Sequence, residues 1–414
     1  MKKLYISAAL SFITTLSFSQ TLIPIDTTQG MYWSPVFSTV TVTSAVVYGS
    51  AVTVNSTTQT LLMDIYQPVG DTVSQRPVLI IAHGGSFIGG TRTDADVVAL
   101  CTRFAKQGYV CASIDYRLGM GFPIDSINAT KAVIRAVQDM KAAVRFFRKD
   151  FFTNGNFYHT HPNYIFAGGS SAGAFMGLHL AYLDKTAEIP TWINITPLGG
   201  LDGNSGNPGY SHHINGVINL CGALGDSTWM EPNDLPCVSM HGNQDNTVPY
   251  GTAMIYVLSY PVLVVDGSAS INLRAQHTNT PNPFYTFNGA DHIPYAGGSP
   301  TQIAYMDTTE RFVKIFLRPL LVLPSTTGIN NSTSFTSTVN VYPNPSHGDI
   351  YISTISNEII NFKTQLLDVS GKIISSFNVN SSIYHFSTAG IAPGVYFLRM
   401  ESDQGIITKK IVLK

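Results

Sequence analysis

The hydrophobic positions change their period twice along the chain, and each change marks a new structural block. From residue 39 to 68, TVTVTSAVVYGSAVTVNSTTQTLLMDIYQP alternates β-branched with polar residues, which predicts an antiparallel meander. After Gln75 the alternation stops. RPVLIIAHGG and YVCASIDY are continuous apolar runs, as strands buried on both faces require, and residues 94–106 between them read as a helix. The clearest helix follows: Val133, Val137, Met140, Val144 and Phe147 form one apolar stripe. Lys131, Arg135, Lys141, Arg145 and Arg148 lie off that stripe and read as a solvated face. NYIFAGG, GVINLCGAL, PCVSMHG and PFYTFNG are further short apolar runs, separated by helical or irregular segments. Strands alternating with helices predict an α/β domain, a mostly parallel central sheet with helices on both faces.

Residues 323–338, LPSTTGINNSTSFTST, lack any period and are rich in Ser, Thr and Asn, so they read as a linker. Beyond them, residues 339–414 hold short alternating strands with Asn-Pro and Ser-Gly turns, the pattern of a small C-terminal β-sandwich. At the other end, Lys2 and Lys3 precede an apolar stretch that exits through Ser17-Phe18-Ser19. Charge, then apolar run, then small residues is the order of a signal peptide, expected over residues 1–19. The main domain is then 20–322. No other stretch reaches the roughly 18 apolar residues that span a bilayer.

Charge and cysteines narrow the function classes. With 24 Lys plus Arg against 25 Asp plus Glu, the chain has no field to gather nucleic acid or an anionic membrane surface. Cys101 and Cys111 bracket a helix end and the next strand, and in an exported chain they are expected to pair; for Cys221 and Cys237 both a bridge and buried thiols stay open. No CxxC or His-rich cluster offers a metal site, and no cofactor is expected.

The chemistry concentrates in three loops that each follow an apolar strand. Gly169-Ser170-Ser171-Ala172-Gly173 fits G-x-S-x-G, with a strand run before it and a helical run after it. A nucleophilic serine on a tight strand-to-helix turn needs small neighbours, which makes Ser171 the candidate nucleophile. A serine hydroxyl needs a base, and the base a carboxylate to hold its tautomer. Asp245 follows PCVSMHG and His292 follows PFYTFNG, giving the order Ser, acid, His. His241, Asp291, Asp226 and Glu231 are rivals; His241 reads as structural, and Asp291, adjacent to His292, as pointing away from it. Upstream, His83-Gly84-Gly85-Ser86-Phe87 closes another buried strand. The amides of Gly84, Gly85 and Ala172 are the candidate oxyanion donors, with His83 bracing the loop.

The HGGSF loop, the GSSAG elbow, DYRLG at Asp115 to Gly119, HGNQDNTVPYG and GADHIPY resemble the carboxylesterase and lipase branch of the α/β-hydrolase superfamily over residues 55–318. The resemblance implies acyl transfer to Ser171 and hydrolysis by water, without a cofactor, on small or polymer-borne esters. Ser86 stands where the hormone-sensitive-lipase group has a third glycine. The tail, from Tyr342-Pro343-Asn344-Pro345 through PGVYFLRM to KKIVLK, resembles the C-terminal sorting domain of the type IX secretion system. That resemblance implies that residues 339–414 engage the secretion machinery, and that the protein passes through the periplasm to the cell surface or medium. Two other readings remain open: a peptidase or amidase on the same scaffold, though no propeller domain accompanies it, and a non-catalytic surface adhesion protein. The substrate does not follow from the sequence. Residues 191–213 read as part of a lid or acyl pocket, or as surface decoration, with Trp192 or Trp229 lining the pocket.

Overall fold

The structure is a computed structural model that describes residues 22–321 except 24, and 339–414 except 347, 355–361, 370, 382 and 403–404. The expected signal peptide and linker lie outside the described residues. The chain divides into two compact units, Met1–Pro324 and Ser325–Lys414.

In the first unit an antiparallel pair, β1 (Val40–Val52) and β2 (Thr58–Pro68), leads into β3 (Arg76–Ala82), α1 (Ala95–Lys106), β4 (Val110–Ile114), α2 (Ser126–Thr153), β5 (Thr160–Ser170) and α3 (Ala172–Tyr182). Then come β6 (Val217–Leu220), β7 (Ala223–Leu224), β8 (Cys237–Gly242), the hairpin β9 (Thr252–Val257) and β10 (Tyr260–Gly267), α4 (Ser268–Thr278), β11 (Phe284–Phe287) and α5 (Pro300–Leu317). Eight strands form one sheet in the order β1-β2-β4-β3-β5-β6-β8-β11. β1 and β2 are antiparallel, β2 is antiparallel to β4, and every pairing from β4 to β11 is parallel. This is the mostly parallel sheet that the apolar runs predict.

Continuous apolar sequence is needed because each central strand feeds two cores. In β3, Val78, Ile80 and Ala82 join the core under α2, α3 and α4, while Leu79 and Ile81 join the one under α1 and α5. Alternate side chains leave a strand on opposite faces, so burial of both faces removes every polar position.

The cationic side of α2 is not solvated, contrary to the pattern-based expectation. Arg135, Lys141, Arg145 and Arg148 are 5%, 3%, 5% and 7% exposed. The segment 198–213 lies over this side, and its carbonyls need donors. Gln138 donates to Leu198 and Gly200, Lys141 to Leu201, and Arg145 to Gly206. Arg148 donates to Pro162 (3.1 Å), Ser211 (2.7 Å) and His213 (2.6 Å). A cation on a helix thus does the work that a strand partner does elsewhere. The expected Cys101–Cys111 bridge is also absent: all four cysteines are free and buried. Cys101 on α1 and Cys111 on β4 pack in the same core as small apolar groups, and burial pushes both thiols up.

The second unit pairs a three-stranded sheet with a four-stranded one, both antiparallel. The first holds β12 (Val339–Tyr342), β13 (Ile350–Thr354) and β16 (Ile383–Phe386). The second holds β14 (Phe362–Leu367), β15 (Ile373–Val379), β17 (Gly394–Ser402) and β18 (Gly405–Leu413). Ile350 and Ile352 from one sheet meet Phe362, Leu398 and Ile411 from the other in one core, as a small β-sandwich requires.

Two tests follow. Alkylation in denaturant without reductant is expected to modify four thiols; a mass showing only two would restore the bridge. Arg148→Met strips three carbonyls of their donor and is expected to lower the unfolding free energy of the first unit by about 2–4 kcal/mol in urea titrations. A loss under about 0.5 kcal/mol, the size of a surface change, would mean that the segment does not depend on α2.

Candidate active site

Ser171 sits between β5 and α3 with φ 54° and ψ −116°, a left-handed conformation that costs free energy in a non-glycine residue. Packing holds it there. A Cβ on Gly169 or on Gly173 would each lie 2.0 Å from the carbonyl oxygen of Ala82. Both flanking glycines of G-x-S-x-G are therefore pressed onto the last residue of β3. The Ser171 amide donates to Leu220 on β6 (2.9 Å), which ties the turn to the other neighbouring strand. Ser170 points away from the turn's open side: it is fully buried, and its hydroxyl accepts from Tyr295 (2.8 Å).

The loops after β8 and β11 bring two more side chains to Ser171. His292 Nε2 lies 2.9 Å from Ser171 Oγ, and His292 Nδ1 lies 2.6 Å from Asp245 Oδ2. Asp245 Oδ1 accepts from the amides of Thr247 and Val248 at 2.8 Å each, and Oδ2 accepts a second bond from His241 Nε2 at 3.0 Å. Burial by itself raises the Asp245 pKa. The bonds from His241 and His292 outweigh it and hold the carboxyl well below the usual range.

His241 contributes more than its reading as a structural residue captured. It is fully buried on β8, and its Nε2 faces both the Asp245 carboxylate and the Val248 carbonyl (3.2 Å). Two acceptors at one nitrogen mean that Nε2 carries the proton. Nδ1 then accepts from Ser268 Oγ (2.8 Å), which in turn accepts from Asn219 (3.0 Å). A buried polar chain from β6 through α4 thus orients the carboxylate. The other rivals are elsewhere engaged. Asp291 accepts from the amides of Asn246 (2.9 Å) and His292 (2.8 Å), clasping the two loops together without meeting the imidazole. Glu231 pairs with Lys185, and Asp226 accepts from Thr228. Cys221, Asp245 and His292 offer ligand atoms within 4.8 Å of one another, but the Asp245 oxygens already accept four bonds.

The His83–Phe87 loop closes the other side. A Cβ on Gly84 would stand 3.2 Å from the Ser171 Cβ, so the loop backbone runs against the serine. Gly85 has φ 105°, and Ser86 and Phe87 follow at 52° and 61°. Among the described residues no acceptor takes the amides of Gly84 or Gly85. The Ala172 amide opens α3, where first-turn N–H groups have no intrahelical partner. The DYRLG segment supports this loop: Tyr116 donates to the carbonyls of His83 and Gly84 (3.1 Å each) and stacks on His83 at 4.3 Å. His83 Nδ1 lies 2.7 Å from the Gly84 carbonyl, the brace that the sequence suggested.

Ser171 opens onto a cavity of about 590 Å³. Phe87, Phe175, Trp229 and the β9–β10 hairpin supply much of its apolar wall. Trp229 lines it, as expected, whereas Trp192 is 48% exposed and does not. Of residues 191–213 only Thr191 reaches it, so the part stapled to α2 is not its lid. The hairpin carries no sequence motif. Phe175 and His179 were within reach of sequence, since they follow Ser171 at helical intervals of four.

Comparison with known proteins finds likenesses for both units. Residues 63–226 match the BD-FAE family model, a span that holds the His83 loop and Ser171 but ends before Asp245 and His292. Residues 340–414 match the secretion system C-terminal sorting domain. Esterase LipC of Mycobacterium tuberculosis is 30% identical over 133 residues, which is 31% of this chain and 30% of that protein, so the chain spans under a third of this curated relative. Among solved structures, Thermogutta terrifontis esterase 2 phosphorylated by paraoxon covers 70% of this chain and 96% of its own at 20% identity, TM-score 0.50. The same esterase phosphoramylated by tabun gives 70%, 97%, 20% and 0.50. Residues 63–226 thus resemble the BD-FAE family, residues 340–414 resemble a secretion sorting domain, and the first unit has the α/β-hydrolase fold of the esterase structures.

Proposed function

We propose that this protein is an exported serine hydrolase that cleaves carboxylic esters through an acyl-enzyme on Ser171. The observation that carries this reading is the unbroken run of bonds from Ser171 Oγ through His292 to the buried Asp245 carboxylate, at the mouth of an apolar cavity. With Nδ1–H donated to Asp245, His292 presents a bare Nε2 to the serine hydroxyl. His292 takes the Ser171 proton as Oγ attacks the ester carbonyl. The oxyanion that forms is held by the amides of Gly84 or Gly85 and Ala172. His292 then passes its proton to the departing alcohol. Water repeats the sequence on the acyl-enzyme and releases the acid. Asp245 stays ionised throughout, because its hydrogen-bond donors and the imidazolium favour the charged form. The esterase named among the relatives and the BD-FAE match support ester hydrolysis over peptide hydrolysis. The sorting domain supports export through type IX machinery, with the tail, residues 339–414, acting as the address. No described helix is long and apolar enough to cross a membrane.

Ser171→Ala is expected to abolish labelling by a fluorophosphonate and turnover of p-nitrophenyl acetate. His292→Ala should cost a similar factor, because residues that act as a unit do not lose rate additively. Asp245→Asn is expected to cost about a thousandfold or more through the wrong imidazole tautomer. Ser170→Ala is the control: it strands the buried Tyr295 hydroxyl and lowers stability by about 1–3 kcal/mol, yet it should retain labelling. A dead Ser170→Ala beside a labelled Ser171→Ala would reassign the nucleophile.

The depressed Asp245 pKa has a stability signature. Its folded value lies below the unfolded one, so its stabilisation is complete above the ordinary carboxylate value and is lost as pH falls toward the depressed one. The stability gap between wild type and Asp245→Asn is therefore expected to shrink as pH drops from about 4.5 toward about 2.5. A gap that widens over that range in urea titrations would contradict the assignment of Asp245 as a paired, buried anion.

A further inference from the structure

Helix α3 begins at the elbow, and residues at intervals of four from Ser171 share one of its faces. These are Phe175 and His179, and all three line the cavity. His179 stands two turns on, about 12 Å from Ser171 along the helix axis. It is only 5% exposed. Its ring lies nearly parallel to Phe175 (6.0 Å, 11°) and edge-on to Trp229 (5.7 Å, 74°), so two neighbours fix its plane.

The protonation state follows from the bonding. His179 Nδ1 lies 2.8 Å from the Phe175 carbonyl, which can only accept, so Nδ1 carries the hydrogen. Burial pushes the pKa down to about 4, and the ring is neutral at ordinary working pH. Nε2 is then a bare acceptor, and no described residue donates to it. An unmet acceptor in a cavity wall costs free energy unless something that enters the cavity meets it. Of the acidic groups at the cavity wall, Asp226 accepts from the Thr228 amide and hydroxyl at Oδ1, and Glu188 from the amides of Asp184 and Lys185 at Oε2.

We propose that His179 is a specificity-determining residue, and that the cavity selects esters with one apolar arm that ends in a hydroxyl roughly 10 Å from the reacting carbonyl. The arm fills the apolar wall, and its terminal O–H donates to Nε2. This inference rests on the ester-hydrolase reading of the site and adds the chemistry of the substrate to it. Its sign is diagnostic. An apolar wall without an acceptor penalises a buried hydroxyl and prefers a methyl terminus, so a hydroxyl preference that is lost with His179 marks Nε2 as the acceptor among the polar groups of the wall.

The test compares chain termini within each protein sample, so that the folded fraction cancels. On the acyl side the pair is p-nitrophenyl 8-hydroxyoctanoate and p-nitrophenyl octanoate. On the alcohol side it is the monoacetate of 1,8-octanediol and octyl acetate. In one pair the wild-type kcat/KM is expected to favour the hydroxyl terminus, and His179→Leu to reduce that hydroxyl-to-methyl ratio about tenfold. His179→Gln, whose side-chain carbonyl can accept, should keep most of the preference. A methyl preference in both wild-type pairs, or ratios unmoved by His179→Leu, overturns the inference while leaving ester hydrolysis intact. Absence of turnover on every ester, with p-nitrophenyl acetate included, overturns the functional reading and this inference with it.

Discussion

The contact on which the site depends is the packing of two glycines against one carbonyl oxygen. Gly169 is the penultimate residue of β5 and Gly173 the second of α3, and neither could carry a Cβ without driving it to 2.0 Å from the Ala82 oxygen. That approach bends the chain sharply enough to leave Ser171 between them in a left-handed conformation. It also sets the serine against the His83–Phe87 loop, because Ala82 is followed directly by His83 and Gly84. Strain at Ser171 is thus not separable from its position. The turn is held by the Leu220 bond and by α3, whose buried face is nearly all apolar or small.

Around this fixed point the remaining groups are held by hydrogen bonds rather than by packing. The Asp245 carboxylate is fully buried and would be costly there unpaired. Two backbone amides and two imidazoles satisfy it, and each comes from a different constraint: the turn after β8, the strand itself through His241, and the loop after β11 through His292. Asp291 binds the last of these loops to the first. A buried anion in the middle of three converging segments makes their relative placement an energetic requirement. The same logic operates on the far side of α2, where buried cations meet the carbonyls of residues 198–213.

Much of this was legible because it rests on local rules. The two-residue period before residue 68, the apolar runs after it and the helical stripe at Val133 to Phe147 each report burial of nearby positions, and the strands and helices appear where those periods place them. The G-x-S-x-G turn is recognisable from five residues, although the carbonyl that excludes its side chains, that of Ala82, lies on another strand. The order Ser171, Asp245, His292 could be read because each follows a recognisable strand.

What could not be read depends on which surfaces meet. The charges of α2 look solvated in sequence, since period alone registers one buried stripe and cannot register a loop laid over the opposite side by a connection 60 residues away. Cys101 and Cys111 look pairable because they bracket one turn, yet their side chains pack into the core as separate thiols. His241 and His179 look like single histidines, one in a strand and one in a helix, and only the fold sets one against Asp245 and the other into the cavity wall. The sequence by itself determined the elements, the elbow and the identities of the three side chains that the fold brings together, because backbone sterics and burial periodicity act over a few residues. Tertiary structure alone decided which buried polar groups find partners, because a hydrogen bond across elements is a matter of distances that no local pattern encodes.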